Sequence, residues 1–243
     1  MKRIFLLLVS LVTVWSALGQ NTQKFPAYLE ADQLPDAVFF LPPPPEQGSA
    51  QFVLDEAMYE WGKTQREGAR GLQAIAEGTT DVDTMAVMFS KAFGLQLTKE
   101  TTPNTLRLLQ RSVRTFRLSA TKPKAAYMRL RPFVLHNEGT LIPEWEEEER
   151  PTGSYPSGHT VRGWGMALVL SQLNPAHQDE ILYMGYEWGQ SRVIAGYHWQ
   201  SDVNASRLLA SACFARLQAC EEYMKDVEAA REELNALWAA QQN

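Results

Sequence analysis

The stretch that decides this fold opens with Gly153-Ser154-Tyr155-Pro156-Ser157-Gly158-His159-Thr160 and closes with Ser191-Arg192-Val193-Ile194-Ala195-Gly196-Tyr197-His198-Trp199-Gln200-Ser201-Asp202. An apolar run typical of a buried helix lies between the two pieces. Upstream of both, Lys124 is followed after six residues by Arg131-Pro132. Together the pieces supply cations, histidines, a carboxylate and a glycine-containing turn. This set suits an anion that is first held and then attacked.

The closing piece places His198 and Asp202 four residues apart, on one face of a helix. A carboxylate in that position accepts a proton from one imidazole nitrogen and fixes the tautomer. The other nitrogen is then a free lone pair that can act as a nucleophile or a base. Taken alone, the pair is more often an ordinary hydrogen bond at a surface or in a core, so both interpretations stay open.

The opening piece places Ser157 and Gly158 immediately before a run that is typical of a helix. Backbone N–H groups at a helix N-terminus bind anions, and glycine lets the backbone come close to one. The alternative is that Ser157 only caps the helix after the proline turn. His159, one residue further on, could donate a proton to the same anion.

The upstream piece spaces Lys124 and Arg131 so that both long side chains can converge on one phosphate, Arg by two parallel bonds and Lys as a point charge. We predict that Lys124 heads a short helix from Ala125 to Arg129. The alternative for the two cations is a solvated basic surface.

All three pieces resemble the signature of the type-2 phosphatidic acid phosphatase superfamily, which is Lys, six residues, Arg-Pro, then Pro-Ser-Gly-His, then Ser-Arg, five residues, His, three residues, Asp. The proline run 42–45 and the segment 196–202 narrow the resemblance to the class A bacterial non-specific acid phosphatases, over roughly residues 38–220. One departure is Ala125-Ala126, where close class A relatives carry an acidic residue and a histidine.

The resemblance implies an all-α, single-domain helical bundle of the phosphatidic acid phosphatase and vanadium haloperoxidase kind, spanning residues 20–243. It implies an acid phosphatase of broad specificity that acts on small phosphate monoesters, with a phosphohistidine intermediate, no metal and no cofactor. Transfer of phosphate to alcohols and a homodimer or higher homo-oligomer are further expectations. The implied catalytic residues are His198 as nucleophile, Asp202 as its orienting carboxylate, and His159 as general acid and then base. The implied phosphate-binding residues are Lys124, Arg131, Ser157, Gly158 and Arg192.

Two alternatives remain beside the phosphatase. A vanadate-dependent haloperoxidase uses a similar anion pocket, and a non-catalytic phosphate-binding protein would need the cations but not His198 with Asp202. A membrane lipid phosphatase shares the signature but needs spanning helices, and a serine hydrolase with Ser157 as nucleophile lacks its strand–turn–helix context.

The first 19 of the 243 residues have the pattern of a signal peptide: basic Lys2-Arg3, an apolar run, and small residues before a cut after Gly19. We therefore expect export, to the periplasm or outside the cell, and no membrane anchor. Removal of the leader changes the formal charge from −5 to −7. That charge argues against nucleic acid or an anionic membrane as a partner.

Helical patterns fill the rest of the chain, and no β pattern of substance appears. We expect helices over about 49–68, 69–76, 80–92, 103–118, 176–195 and 199–220, with Leu106, Leu109, Val113 and Phe116 inward in the fourth. An apolar stripe in the tail (Tyr223, Met224, Val227, Ala230, Leu234, Trp238) packs on the body or on a second subunit. Glu144–Glu149 is expected to be a solvated loop, or else a weak repeller of polyanionic substrates. Cys213 and Cys220 are too far apart on one helix for a disulfide, and His136 and His177 are expected at the surface.

Overall fold

The computed structural model describes residues 25–241, so the predicted signal peptide lies outside the described residues. The described part is built of α-helices and short 3-10 helices and contains no strand, which confirms the all-α prediction. The α-helices are α1 Ala37–Phe40, α2 Ala50–Thr64, α3 Gly68–Ala76, α4 Val82–Phe93, α5 Pro103–Ser119, α6 Thr121–Tyr127, α7 Pro132–His136, α8 Glu146–Glu149, α9 Gly158–Leu173, α10 Gln178–Ala195, α11 Gln200–Leu217 and α12 Glu221–Gln241. Short 3-10 helices cover Ala31–Gln33, Pro143–Trp145 and Pro175–His177. None of these helices is both long and apolar enough to cross a bilayer.

Local signals in the sequence set several helix ends. The side chain of Ser49 accepts a hydrogen bond from Phe52 N at the start of α2, and Pro103 is the first residue of α5. Gly196 ends α10 with φ of 91°, a left-handed conformation that glycine adopts without strain. The prediction that α2 continues to Gly68 is wrong, because the chain leaves the helix after Thr64 and Gly68 itself has φ of 71°.

The core lies around α9 and α10, which pack on each other. α9 also contacts α5 and α11, and α10 contacts α2, α3 and α4. Glycines make the close approach between these helices possible. A methyl group on Gly163 would lie 2.4 Å from Trp188, and one on Gly185 would lie 2.4 Å from Ala167. The four predicted inward positions of α5 are all buried.

The C-terminal helix α12 packs on α5 of the same chain. Of the two predicted alternatives, packing on the body or on a second subunit, the structure shows the first. Its Tyr223, Val227, Ala230 and Leu234 are buried, whereas Met224 is exposed and does not belong to the stripe. Glu233 accepts hydrogen bonds from the backbone N–H of Asn104 and Thr105, and Asp226 pairs with Arg107 and Arg111. The two helices are therefore antiparallel and joined along their length.

The short helix at Lys124 differs from its prediction. α6 begins three residues before Lys124 and ends at Tyr127, because Met128 adopts a left-handed φ of 42°. Arg129 is therefore outside the helix, and Arg131 lies in extended backbone just before α7. A turn, rather than two turns of continuous helix, brings the side chains of Lys124 and Arg131 to the same cavity.

Other expectations have mixed outcomes. Cys213 and Cys220 are unbridged as predicted, although α11 ends at Leu217 and Cys220 lies in the turn before α12. His177 is exposed as predicted. The surface prediction for His136 is wrong, since its ring stacks on Tyr59 at 5.0 Å and is half-buried. The acidic segment is partly helical rather than a loop.

Candidate active site

Helix starts converge on one cavity of about 470 Å³. Gly158, the first residue of α9, lines it, and so does His198, which lies just before α11. Lys124 comes from α6 and Arg131 from the segment before α7. The loop that carries the opening piece is tied to α11, because Ser157 N donates to the carbonyl oxygen of Asp202 at 3.4 Å. Residues far apart in the chain thus share one site.

The imidazole of His198 is buried between a carboxylate and a guanidinium. Its Nδ1 lies 3.4 Å from Asp202 Oδ2, and its Nε2 lies 3.2 Å from Arg131 Nη1. A guanidinium can only donate, so Nε2 must be the acceptor and the ring proton must be on Nδ1. Nδ1 is near Asp202 but has no hydrogen-bond partner among the described residues. Burial, followed by Arg131 and Lys124, lowers the pKa of His198 well below its ordinary value. The ring is therefore neutral, with its lone pair at the cavity.

Asp202 is held by groups that sequence reasoning missed. Its Oδ1 accepts a hydrogen bond from Arg129 Nη1 at 2.6 Å, and its Oδ2 accepts one from Trp199 N at 2.9 Å. Arg129 Nη2 donates in turn to Asp55 of α2 at 2.7 Å. All three charged side chains are buried. Arg129 was detectable only as a second arginine two residues before Arg131, and Asp55 gave no signal.

Arg131 uses its donors within the protein. Its Nη2 contacts Glu149 Oε2 and donates to Thr152 Oγ1 at 2.8 Å, and its Nε donates to the carbonyl oxygen of Glu149 at 3.0 Å. Its Nη1 donates to Tyr197 O at 3.1 Å, besides His198. Glu149 therefore belongs to the site, which the view of the acidic segment as solvated did not anticipate.

Lys124 also lines the cavity and donates from Nζ to the carbonyl oxygen of Gly153 at 2.6 Å. Burial, with Arg131 as the next cause, lowers the pKa of Lys124 to about 7. A negatively charged ligand would reverse much of that shift, because it would stabilise the ammonium form. Binding of an anion would therefore favour the charged form of Lys124.

Arg192 is the buried cation that lacks partners. Its guanidinium lies 4.6 Å over the ring of Tyr197, and burial lowers its pKa to about 10. Its Nε and Nη1 are buried and have no hydrogen-bond partner among the described residues. Unsatisfied buried donors on a charged group are costly, so the site is suited to an anion that accepts from them.

Ser157 and Gly158 have separate places. The Ser157 hydroxyl accepts hydrogen bonds from Thr160 N at 3.3 Å and from Thr160 Oγ1 at 3.0 Å, so it is the N-cap of α9. Gly158 lines the cavity, and a methyl group there would approach Lys124 Cε at 3.8 Å. The cap interpretation is confirmed for Ser157, and its contact with phosphate stays a prediction.

His159 is buried on the side of α9 that faces Gly78. Its Nε2 lies 2.8 Å from the Gly78 carbonyl oxygen and must donate to it, and its ring stacks on Trp145 at 6.1 Å. Burial, followed by Arg192 and Arg162, lowers the pKa of His159 well below its ordinary value. Only Nδ1 is left to act on a substrate. The residue does not line the cavity, and its role as general acid stays a prediction.

The arrangement brings Lys124, Arg131, a neutral imidazole and the N-terminus of α9 to one cavity. The buried guanidinium of Arg192 acts electrostatically on the same imidazole. These groups can bind a tetrahedral oxyanion and attack it in line. Within residues 25–241, no group of three or more His, Cys, Asp or Glu side chains is placed to hold a metal ion.

Comparisons with known proteins agree with this chemistry. The PAP2 superfamily matches residues 112–224. A non-specific acid phosphatase of Providencia stuartii is 44% identical over 86% of this chain and 85% of that protein. A non-specific acid phosphatase of Salmonella typhi is 42% identical over 81% and 79%, and an acid phosphatase of Zymomonas mobilis is 32% identical over 82% and 75%. The chain therefore belongs to the PAP2 superfamily and, within it, to the non-specific acid phosphatases.

Proposed function

We propose that this acid phosphatase hydrolyses small phosphate monoesters of many kinds through a phosphohistidine formed on His198. The observation that carries the proposal is the buried guanidinium of Arg192, which has unpaired donors and acts electrostatically on both His198 and Arg131. A phosphoryl group accepts from such donors on its equatorial oxygens, and the charge that develops during transfer is neutralised by the surrounding cations.

The first half of the reaction forms the P–N bond. Arg131 Nη1 moves its hydrogen bond from His198 Nε2 to a phosphoryl oxygen, which frees the lone pair for attack on phosphorus. As the P–N bond forms, the ester P–O bond breaks, and the leaving alkoxide takes a proton from His159. Asp202 stabilises the positive charge on the His198 ring through its contact with Nδ1.

The second half releases phosphate. Water enters opposite the P–N bond, and His159, now neutral, takes its proton. The P–N bond breaks, and the electron pair returns to His198 Nε2 while inorganic phosphate leaves. An alcohol in the place of water receives the phosphoryl group by the same step, so phosphate transfer is a side reaction of the same site.

Two further parts of the proposal concern location and assembly. The leader-like residues 1–19 support export to the periplasm or outside the cell. A homodimer or higher homo-oligomer is retained from the resemblance to the family. Edman sequencing of the secreted or periplasmic protein tests the predicted cleavage after Gly19, and light scattering tests the oligomer.

The activity is tested with p-nitrophenyl phosphate, with and without EDTA. Wild-type protein should hydrolyse it in the presence of the chelator, and His198→Ala should reduce kcat by several orders of magnitude because the nucleophile is gone. Activity lost with EDTA and restored by a divalent ion would contradict the metal-free mechanism. Tight phosphate binding without turnover would indicate a binding protein, and halide oxidation after addition of vanadate would indicate a haloperoxidase.

A further inference from the structure

Two arginines outside the catalytic set lie at the far end of the active-site cavity. Arg162 follows Gly158 by one turn of α9, about 6 Å along the helix axis, and therefore lies on the same face. Arg117 comes from the last turn of α5. Both line the cavity that contains His198, on the side of Lys124.

Neither guanidinium forms an ion pair within the part of the chain that the structure describes. Among residues 25–241, no hydrogen bond or ion pair is formed by the side chain of Arg117 or Arg162. Residues 1–24 contain no Asp or Glu, so that segment cannot supply one by a side chain. Arg162 is half-buried, and burial and then Arg117 lower its pKa to about 10, against the opposing effect of Glu149. Charged groups withdrawn from water are normally paired, so Arg162 lacks an anion. Arg117 is exposed and brings a solvated, unpaired charge to the same cavity.

The same two arginines also border a second cavity of about 320 Å³, which Arg114 lines as well. Arg162 and Arg117 therefore lie between the two cavities. The carboxylates of the outer cavity are already engaged: Asp81 accepts from Thr84, and Asp83 accepts from Gln110. In the inner cavity Glu149 is bound to Arg131. The hydrogen bonds from Thr84 and Gln110 leave the carboxylate charges in place, but four cations and one carboxylate line the inner cavity, so its net charge is positive.

We propose that Arg117 and Arg162 form a subsite for a second phosphoryl group of the substrate, held while the first lies at His198. The proposal rests on the phosphatase function above and names a substrate class for it: molecules with two phosphoryl groups, joined either by an anhydride or by a short carbon skeleton. This subsite would attract polyanionic substrates, whereas the acidic segment Glu144–Glu149 was considered in the sequence analysis as a group that repels them.

The test compares substrates and inhibitors that differ by one phosphoryl group. Wild-type protein should bind pyrophosphate more tightly than phosphate, as competitive inhibitors of p-nitrophenyl phosphate hydrolysis. It should also have a higher kcat/KM for fructose 1,6-bisphosphate than for fructose 6-phosphate. In Arg117→Gln/Arg162→Gln, each preference should fall about tenfold or more, since charged hydrogen bonds are lost.

Arg216→Gln is the control for removing an arginine outside the cavity. It lies on α11, fourteen residues and about 21 Å along the helix axis from Asp202, and should leave both preferences unchanged. A loss of preference in only the pyrophosphate arm, or in only the sugar arm, supports the subsite and identifies which linkage it takes. Unchanged preferences in the double variant, with p-nitrophenyl phosphate still hydrolysed, would overturn the subsite alone. Wild-type protein without p-nitrophenyl phosphate hydrolysis would instead overturn the proposed function.

Discussion

Arg131 shows how a single residue can be held by the protein and still be available to a ligand. Its donors are taken by Glu149, Thr152 and main-chain oxygens, with one directed at His198. A phosphate bound to Arg131 as proposed must compete with the Glu149 carboxylate for the same guanidinium. The first prediction concerns that competition.

Glu149→Gln should lower KM for p-nitrophenyl phosphate and the inhibition constant of phosphate by about tenfold, because one anionic competitor is removed. Burial raises the pKa of Glu149, but Arg131 and Lys124 outweigh it and the net pKa is lowered. The carboxylate is therefore charged over most of the pH range. The gain should persist at every pH above that lowered pKa and disappear below it.

Glu147→Gln is the control for this change, since Glu147 is 89% exposed and pairs only with Arg150 at 3.5 Å. It should leave KM unchanged. A higher KM in Glu149→Gln would mean that Glu149 positions Arg131 rather than competing with phosphate.

Arg129 is the second residue for which the structure predicts a measurable role, as a positioning residue for Asp202. Arg129→Met leaves Asp55 and Asp202 buried without their shared counterion. The free energy of unfolding should fall by about 3–5 kcal/mol. In protein that remains folded, kcat should fall by about tenfold or more with KM little changed, because His198 loses its oriented partner.

Urea unfolding and steady-state kinetics measure the two effects separately. Arg231→Met removes an exposed pair at 3.9 Å and should change stability by less than about 1 kcal/mol. If Arg129→Met destabilised the protein but kept the wild-type kcat, the role of Arg129 would be purely structural.

The two histidines predict the direction of the pH dependence. His198 must be neutral to attack, and its lowered pKa keeps it neutral at acid pH. His159 must be protonated to donate, and its pKa is also lowered, by burial first. Since a lowered pKa means that the proton is lost early as pH rises, kcat should fall as the pH increases through the pKa of His159.

A pH profile of kcat for the wild type and for His159→Asn checks this. The wild type should be most active at acid pH, and the variant should lose the descending limb together with most of its activity on esters of poor leaving groups. A wild-type kcat that rises from acid to alkaline pH would contradict the assignment of His159 as the acid.

Much of the site could be predicted from the sequence because its residues occur in short motifs with fixed spacing. Ser157 caps α9, as local geometry predicts. The prediction that His198 and Asp202 share a helix face is wrong, because His198 lies in the turn before α11 and meets Asp202 across the start of that helix. Glu149, Arg129 and Asp55 were missed because their partners lie in distant segments of the chain. A buried carboxylate such as Asp55 has no local pattern that separates it from an exposed one.

At the scale of helices, starts were predicted better than ends. Ser49, Asp81 and Pro103 mark helix starts by capping or by a fixed φ. The end of α6 was missed, because Met128 takes a left-handed conformation that its residue type does not favour. That conformation turns the chain so that Arg131 can reach the cavity.

The contact between α9 and α10 gives a prediction at this scale. Gly163→Ala should destabilise the protein by about 1–3 kcal/mol, since the new methyl group would lie 2.4 Å from Trp188 and overpacking outweighs the better helix propensity of alanine. Urea unfolding measures it. Gly139→Ala is the control, with nothing within 4 Å of the added carbon. Equal stabilities of the two variants would show that α9 and α10 can separate without cost.

At the scale of the whole molecule, the formal charge is negative while the cavity is lined by cations. The sequence predicted the helical class and the overall charge, but it could not place Arg117 beside Arg162, because α5 and α9 are brought together only by packing. The bundle thus concentrates positive charge in one place on an acidic protein. We expect a dianionic phosphate ester to be attracted to that cavity.

The central claim is that His198 becomes phosphorylated, and one measurement tests it most directly. Wild-type protein is mixed with a ³²P-labelled monoester, quenched in denaturant at alkaline pH during turnover, digested, and mapped by mass spectrometry. We predict one labelled peptide with the phosphoryl group on His198, absent from His198→Ala. A label on Ser157 or any other residue, or none during rapid turnover, would contradict the account.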